Sequence, residues 1–253
     1  MGALALAAEA DRTIRGRGTP ESDWSRWPGW AREPVALTAL VPGRLVVVAP
    51  HPDDEVLAAG GLLHDAAQAG RPVLVVAVTD GGASHPGSRR WPPATLIAQR
   101  RRERDSALSA LGVPPSAVRE LAIADGTVTA RRRVVVEALR TWLRAGDTVI
   151  APWRWDGHPD HESTAEAVQI AVTGRPVTLL QSPIWGWHWA RPGQLPTGAH
   201  RYRLSADTRS AKRRAVSAFT SQLDADPSTG AEPILPAWAL PRWLRTDEVY
   251  LHD

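Results

Sequence analysis

Two runs of β-branched residues, separated by one helix-length segment, constrain this chain more than any other feature. Leu45-Val46-Val47-Val48-Ala49 and Pro72 to Val78 (PVLVVAV) are almost continuously apolar. A strand reads this way when both of its faces are covered, because no alternation with polar residues is then required. Residues 53–69 between them read as a helix, with Val56, Leu57, Leu62 and Leu63 among its apolar positions and Gly70 as its C-terminal stop. Strand, helix and strand at this spacing form a βαβ unit, which favours parallel strands and a right-handed crossover.

The alternation continues. A helix is predicted over 95–111, a short strand at Leu121–Ile123 and a helix over 129–145. A buried strand follows at Asp147–Ala151, then a helix near 160–172 and a strand at Val177–Gln181. This order predicts an α/β fold, a Rossmann-like three-layer sandwich with a mostly parallel sheet. Beyond Trp185 the pattern weakens, leaving a helix over 205–223 and a proline- and tryptophan-rich tail over 226–253 that packs on the core. Residues 1–43 read as an N-terminal extension, interrupted by prolines, whose Trp24, Trp27 and Trp30 pack onto the domain. The expected organisation is one domain over 1–253, with its core at 44–184 and the part from 185 to 253 completing it.

Composition removes several classes of function. The chain of 253 residues has no cysteine, so disulfides, thiol nucleophiles and Cys-ligated metals are excluded. Its net charge is only +3, and Lys212 is the single lysine among many arginines. That excess is too small to predict a nucleic-acid partner. The arginine runs at 100–102, with Arg104, and at 131–133 read as solvated helix faces, Arg100 excepted. No run approaches the ~18–20 apolar residues of a membrane span. The Ala/Leu stretch from Met1 to Glu9 has no basic residues ahead of it and reads as a frayed or helical N-terminus rather than a signal peptide, so a cytoplasmic protein is expected. No glycine-rich phosphate loop follows a strand, and no nucleotide cofactor is expected.

The chemistry-bearing pattern is a short recurrence. His51-Pro52-Asp53-Asp54-Glu55 follows the first strand, and His158-Pro159-Asp160-His161-Glu162 follows the strand at 147–151. Proline suits the first turn of a helix, and acids suit its N-terminus. Two well-made helix starts therefore account for the prolines and aspartates, and Glu55 and Glu162 read as acids of that kind. They do not account for a histidine before each proline, or for His161. A metal site does. Residues three apart share a helix face, so His51 and Asp54 can converge on one ion, with His161 as a third ligand. Two imidazoles and one carboxylate, with a position open to water, form a catalytic zinc arrangement.

These motifs resemble the LmbE/PIG-L family of zinc-dependent N-deacetylases. Thr79-Asp80-Gly81, Arg100-x-x-Glu103 and Leu111-Gly112 agree with the family's pattern, over roughly residues 44–184, with weaker likeness at 212–222 and near Glu248. The resemblance implies that His51, Asp54 and His161 ligate Zn2+, with Fe2+ or another divalent ion as an alternative. It implies that Asp53 is the general base and that His158 donates a hydrogen bond or proton to the intermediate and leaving amine. Asp160 would orient and charge-tune His158. Arg100 and Asp125 would contact sugar hydroxyls. The implied reaction removes an N-acyl group, most simply acetyl, from a small N-acylated amino sugar or glycoconjugate. A metal-dependent amidase acting on another C–N bond, a non-catalytic sugar- or metabolite-binding relative and a nucleic-acid binder are the alternatives. Trp185, Trp187 and His188, in a stretch following the strand at 177–181, are further candidates for substrate contact, because indole faces suit sugar C–H groups.

Overall fold

The computed structural model describes Ala7 and residues 10–252. Apart from Ala7, the Met1–Glu9 stretch lies outside the described residues. Seven strands, β1 Leu45–Ala49, β2 Val73–Thr79, β3 Val118–Ile123, β4 Thr148–Pro152, β5 Thr178–Ser182, β6 Ala199–Arg203 and β7 Asp247–Leu251, form one sheet in the order β3-β2-β1-β4-β5-β7-β6. The first five are parallel, and β7 and β6 are added antiparallel at one edge. The five longer helices are α1 Asp54–Gln68, α2 Pro93–Ala110, α3 Val128–Trp142, α4 Pro159–Val172 and α5 Ala206–Val216. Among the described residues, no helix is long and apolar enough to cross a membrane.

Strand periodicity divides the interior into two cores. Leu45 and Val47 of β1 face α1 and α5, whereas Val46 and Val48 face α3 and α4. The α/β sandwich and its mostly parallel sheet match the expected fold. The two antiparallel strands are an addition to it. β6 (AHRYR) is a polar edge strand with no hydrophobic run, and β7 (DEVYL) opens with two acids, so neither carries the signal that marks β1 and β2.

The N-terminal segment packs as its tryptophans predict. Trp24 and Trp27 are almost fully buried, and their indoles meet Trp187 edge-on at 4.8 and 5.7 Å. Trp24 Nε1 donates to the Trp187 carbonyl oxygen. The arginine runs are mostly exposed, but Arg104 departs from the expected solvated face: it is buried and paired with Asp105 and Glu120.

Helix α1 is interrupted. Ala59 has φ −142° and ψ 22°, outside the helical region, so α1 comprises a short segment, Asp54–Ala58, and a longer one that restarts at Gly60.

Trp24→Ala should cost about 3–5 kcal/mol, as expected for a fully buried indole. Urea unfolding followed by circular dichroism would measure it, and a loss below about 1 kcal/mol would show that the N-terminal segment is not integral to the fold.

Candidate active site

The chain leaves β1 for β2 and β3 on one side and returns to β4 and β5 on the other. Ligands of open α/β sheets bind where the strand order reverses in this way, at the carboxyl ends. Both histidine-proline-aspartate turns lie there. The first links β1 to α1, and the second ends the loop between β4 and α4, where His158 is the helix N-cap and Pro159 occupies N1.

Three atoms form a nearly equilateral triangle. His51 Nδ1 lies 3.2 Å from Asp54 Oδ2 and 3.2 Å from His161 Nε2, and His161 Nε2 lies 3.2 Å from Asp54 Oδ2. Donors held at the ~2.0–2.1 Å of zinc coordination in tetrahedral array stand ~3.3 Å apart. The triangle therefore has the size of three vertices around one ion. His158 completes a group of three rings whose nearest nitrogens lie within 4.8 Å of one another.

The remaining nitrogens of the two candidate ligands face carboxylates. His161 Nδ1 is 2.7 Å from Asp156 Oδ2, and His51 Nε2 is 3.1 Å from Asp125 Oδ1 and 3.3 Å from Asp160 Oδ2. Such partners fix a metal-ligating imidazole's tautomer and raise its basicity. His51, Asp125 and Asp160 are close enough to form a second metal-ligand group, but their oxygens are already engaged. Asp160 accepts backbone N–H groups of Gly126 and Val128, and Asp125 accepts that of Ala83. Burial lowers the affinity of His161 for a proton, yet Asp54 and Asp156 together raise its pKa to about 9. His51 is likewise raised by Asp125, Asp160 and Asp54 against its burial. A cation competes for the same lone pairs, so the surroundings that favour protonation also favour a divalent ion. The donor set fits such a cation.

Asp53 stands beside the triangle. Its φ of 143° is unusual: Asp53 and Ala122 are the two non-glycine residues with positive φ among those described. This backbone allows His51 and Asp54 to converge while the Asp53 carboxylate reaches 3.2 Å from Arg100 Nη2. Burial raises the Asp53 pKa, Arg100 opposes the rise and Asp54 adds to it, leaving it well above the ordinary carboxylate range. Arg100 is buried and also donates to the carbonyls of Gly81 and Pro52. Gly81 is required there, since its φ is +67° and a Cβ would come within 2.8 Å of Arg100 Nη1.

Several expectations need correction. Asp160 meets His158 through its charge and its backbone N–H rather than through a carboxylate contact. Its carboxylate turns back to His51, and only its backbone N–H reaches His158, donating to Nδ1 at 3.2 Å as part of the helix cap. Asp125 lines the cavity but is held on His51. Trp187 is drawn into the tryptophan cluster beneath the N-terminal segment, with the Arg245 guanidinium 4.0 Å above its ring. His188 faces that segment too, within hydrogen-bond distance of the Arg15 carbonyl. The short helix Gly186–Trp189 rotates both away from the cavity, and only Trp185 of the three lines it. Glu55 is fully buried, accepts the Asp53 N–H, and is raised to about 8 by burial and then by Asp53.

Asp156 is the functional candidate that the sequence reading missed. It is fully buried, and besides His161 it accepts the backbone N–H groups of Ile184, Trp185 and Gly186. Its signal was an acid five residues before His161, a spacing that no single secondary-structure period explains.

The cavity over the triangle has a volume of about 330 Å3. Leu57, Trp185, Ile234 and Leu235 give it apolar lining, and Asp53, Arg100, Asp125 and His158 give it polar lining. Residues 46–172 match the family model described as PIG-L, GlcNAc-PI de-N-acetylase.

The chain belongs to the PIG-L family.

Over 157 residues it is 33% identical to a 2'-N-acetylparomamine deacetylase of Streptomyces fradiae, a match taking in 54% of this chain and 56% of that protein. The chain thus spans about half the length of that curated relative. Among solved structures it resembles a deacetylase of the teicoplanin biosynthesis pathway, with a TM-score of 0.56 and 26% identity over 71% of this chain and 85% of that one. It shares the fold of an N,N'-diacetylchitobiose deacetylase from Pyrococcus horikoshii, with a TM-score of 0.52 and 21% identity over 69% of this chain and 68% of that one.

Asp156→Asn should weaken divalent-metal binding about 10–100-fold while leaving the far-ultraviolet dichroism unchanged. Competition against a chromophoric chelator would measure this, and an unchanged dissociation constant would deny Asp156 an orienting role.

Proposed function

We propose that this protein is a zinc-dependent N-deacetylase acting on an N-acetylated amino sugar within a larger saccharide or glycoconjugate. The observation that carries the reading is the 3.2 Å triangle of His51 Nδ1, Asp54 Oδ2 and His161 Nε2, with Asp53 beside it. Family membership and the deacetylase relatives support it. Zinc bound by these three residues would polarise the substrate carbonyl and acidify water.

The chain's own groups supply the rest. The Asp53 carboxylate, in ionised form, accepts a proton from the attacking water. Its raised affinity for protons suits a general base working near neutral pH. His158 accepts the Asp160 N–H at Nδ1, so its neutral ring carries hydrogen on Nε2. Burial, then positive charge at His161 and His51, which the bound cation would supply in place of their protons, keeps its pKa well below the ordinary histidine range. The ring therefore serves as a neutral hydrogen-bond donor to the developing oxyanion and the leaving nitrogen, while the proton that Asp53 took from water passes to that nitrogen as the C–N bond breaks. Arg100 holds Asp53 in place and neutralises part of the acidic site.

The cavity is of a size to take one sugar ring with its acetyl group. Gln222 on its wall is fully buried and has no hydrogen-bond partner at Oε1, which leaves an acceptor for a substrate hydroxyl or amide N–H. A larger groove of about 970 Å3, lined by Trp155, Arg132 and Ser163 among others, lies beyond His158, which lines both spaces. The part of the substrate attached to the amine would run into it, because the leaving nitrogen faces His158.

Acetate release from N-acetylglucosamine conjugates should be abolished by a chelator and restored by zinc. Asp53→Asn should lower kcat about 10²–10⁴-fold with zinc still bound, because asparagine tolerates positive φ and keeps the turn intact. Wild-type turnover in that variant, or chelator-resistant hydrolysis by the native protein, would refute the reading.

A further inference from the structure

The break in α1 exposes four backbone groups. In an unbroken helix the N–H groups of Gly61 and Leu62 would donate to the carbonyls of Leu57 and Ala58. Here the two N–H groups donate to the Glu248 carboxylate, to Oε1 at 2.7 Å and Oε2 at 2.9 Å. The two carbonyls accept from other side chains: Leu57 from Lys212 Nζ at 3.0 Å and Ala58 from Ser182 Oγ at 3.4 Å. Lys212 Nζ and Glu248 Oε1 are 2.7 Å apart, and Tyr250 Oη donates to Glu248 Oε2. A carboxylate at a helix N-terminus and an ammonium at a C-terminus are each the favourable charge. The ion pair thus caps the end of one helical segment and the start of the next.

Both charges are almost completely buried, on α5 and β7 respectively. The local sequence accommodates them. A Cβ at Gly60 would lie 3.2 Å from Lys212 Cγ, and one at Gly61 would lie 2.4 Å from Leu204 Cδ2 and 3.1 Å from Glu248 Oε1. The glycine pair therefore lets α1 approach the ion pair. The short segment that the pair holds, Asp54–Ala58, begins with Asp54 and is entered through Asp53.

We propose that Lys212 and Glu248 are positioning residues for the metal-ligating turn: bridging the break at Ala59, they set the direction of the Asp54–Ala58 segment and hence the place of Asp54 against His51 and His161. This rests on the metal-site reading above. A continuous helix would tie the orientation of Asp54 to the packing of the whole of α1. The break frees the segment, and the ion pair fixes it again from the C-terminal part of the chain.

The double variant Lys212→Met/Glu248→Gln removes both charges together and avoids leaving one buried alone. Zinc affinity, by chelator competition, should fall at least about tenfold. kcat should fall while KM changes little, and amide exchange at Gly61 and Leu62 should accelerate. Arg44→Met/Asp147→Asn is the control: that ion pair joins β1 and β4 at the opposite end of the sheet, with Arg44 Nη2 2.7 Å from Asp147 Oδ2. The control should lower the melting temperature and leave zinc affinity unchanged. Gly61→Ala, whose Cβ would press on Leu204 and on Glu248 Oε1 without removing charge, should reproduce the zinc defect if the double variant does not fold. Native zinc affinity in either α1-directed variant, or an equal zinc defect in the control, would overturn the proposal. Failure of the wild-type protein to bind zinc would instead refute the underlying metal-site reading.

Discussion

The parallel pairing of β1 with β4 is the constraint on which the site depends. Leu45, Val46 and Val47 stand in register with Thr148, Val149 and Ile150, so the two strands end side by side at the same edge. Segments about a hundred residues apart in sequence thereby bring His51 and His161 within 3.2 Å. Backbone hydrogen bonds between buried strands, rather than any direct attraction between the histidines, set that distance. The reversal of strand order opens the crevice above it, and the surrounding loops furnish the walls.

The electrostatics of the crevice follow from this convergence. Asp53, Asp54, Asp125, Asp156 and Asp160 gather around His51 and His161, and Arg100 is the guanidinium paired with Asp53. Burying so many acids would be costly without compensation. Backbone N–H groups offset part of that cost at Asp125, Asp156 and Asp160, and a dication would offset more at Asp54. The division of labour is visible in the hydrogen bonds: acids saturated by backbone donors orient the imidazoles, whereas Asp53 retains an elevated proton affinity.

The central βαβ unit and the two histidine-bearing turns were legible in the sequence, because continuous β-branched runs and a repeated tripeptide leave few alternatives. What escaped was determined by tertiary contact. β6 and β7 gain their strand character from one another and from β5, not from a local run. Asp156 lies in a loop without periodicity, and its role depends on where His161 arrives. Trp187 and His188 belong to a tryptophan-rich stretch whose direction is decided by the N-terminal segment packed against it. Asp160 was assigned to His158, but the Gly126 and Val128 N–H groups hold its carboxylate against His51.

Lys212 is the chain's single lysine, and it is fully enclosed between α1 and β7. The folded protein therefore offers amine-directed reagents no lysine side chain. Acylating dyes and lysine crosslinkers should modify no side-chain amine of the native protein, and their reaction at Lys212 would report unfolding rather than accessibility in the native state.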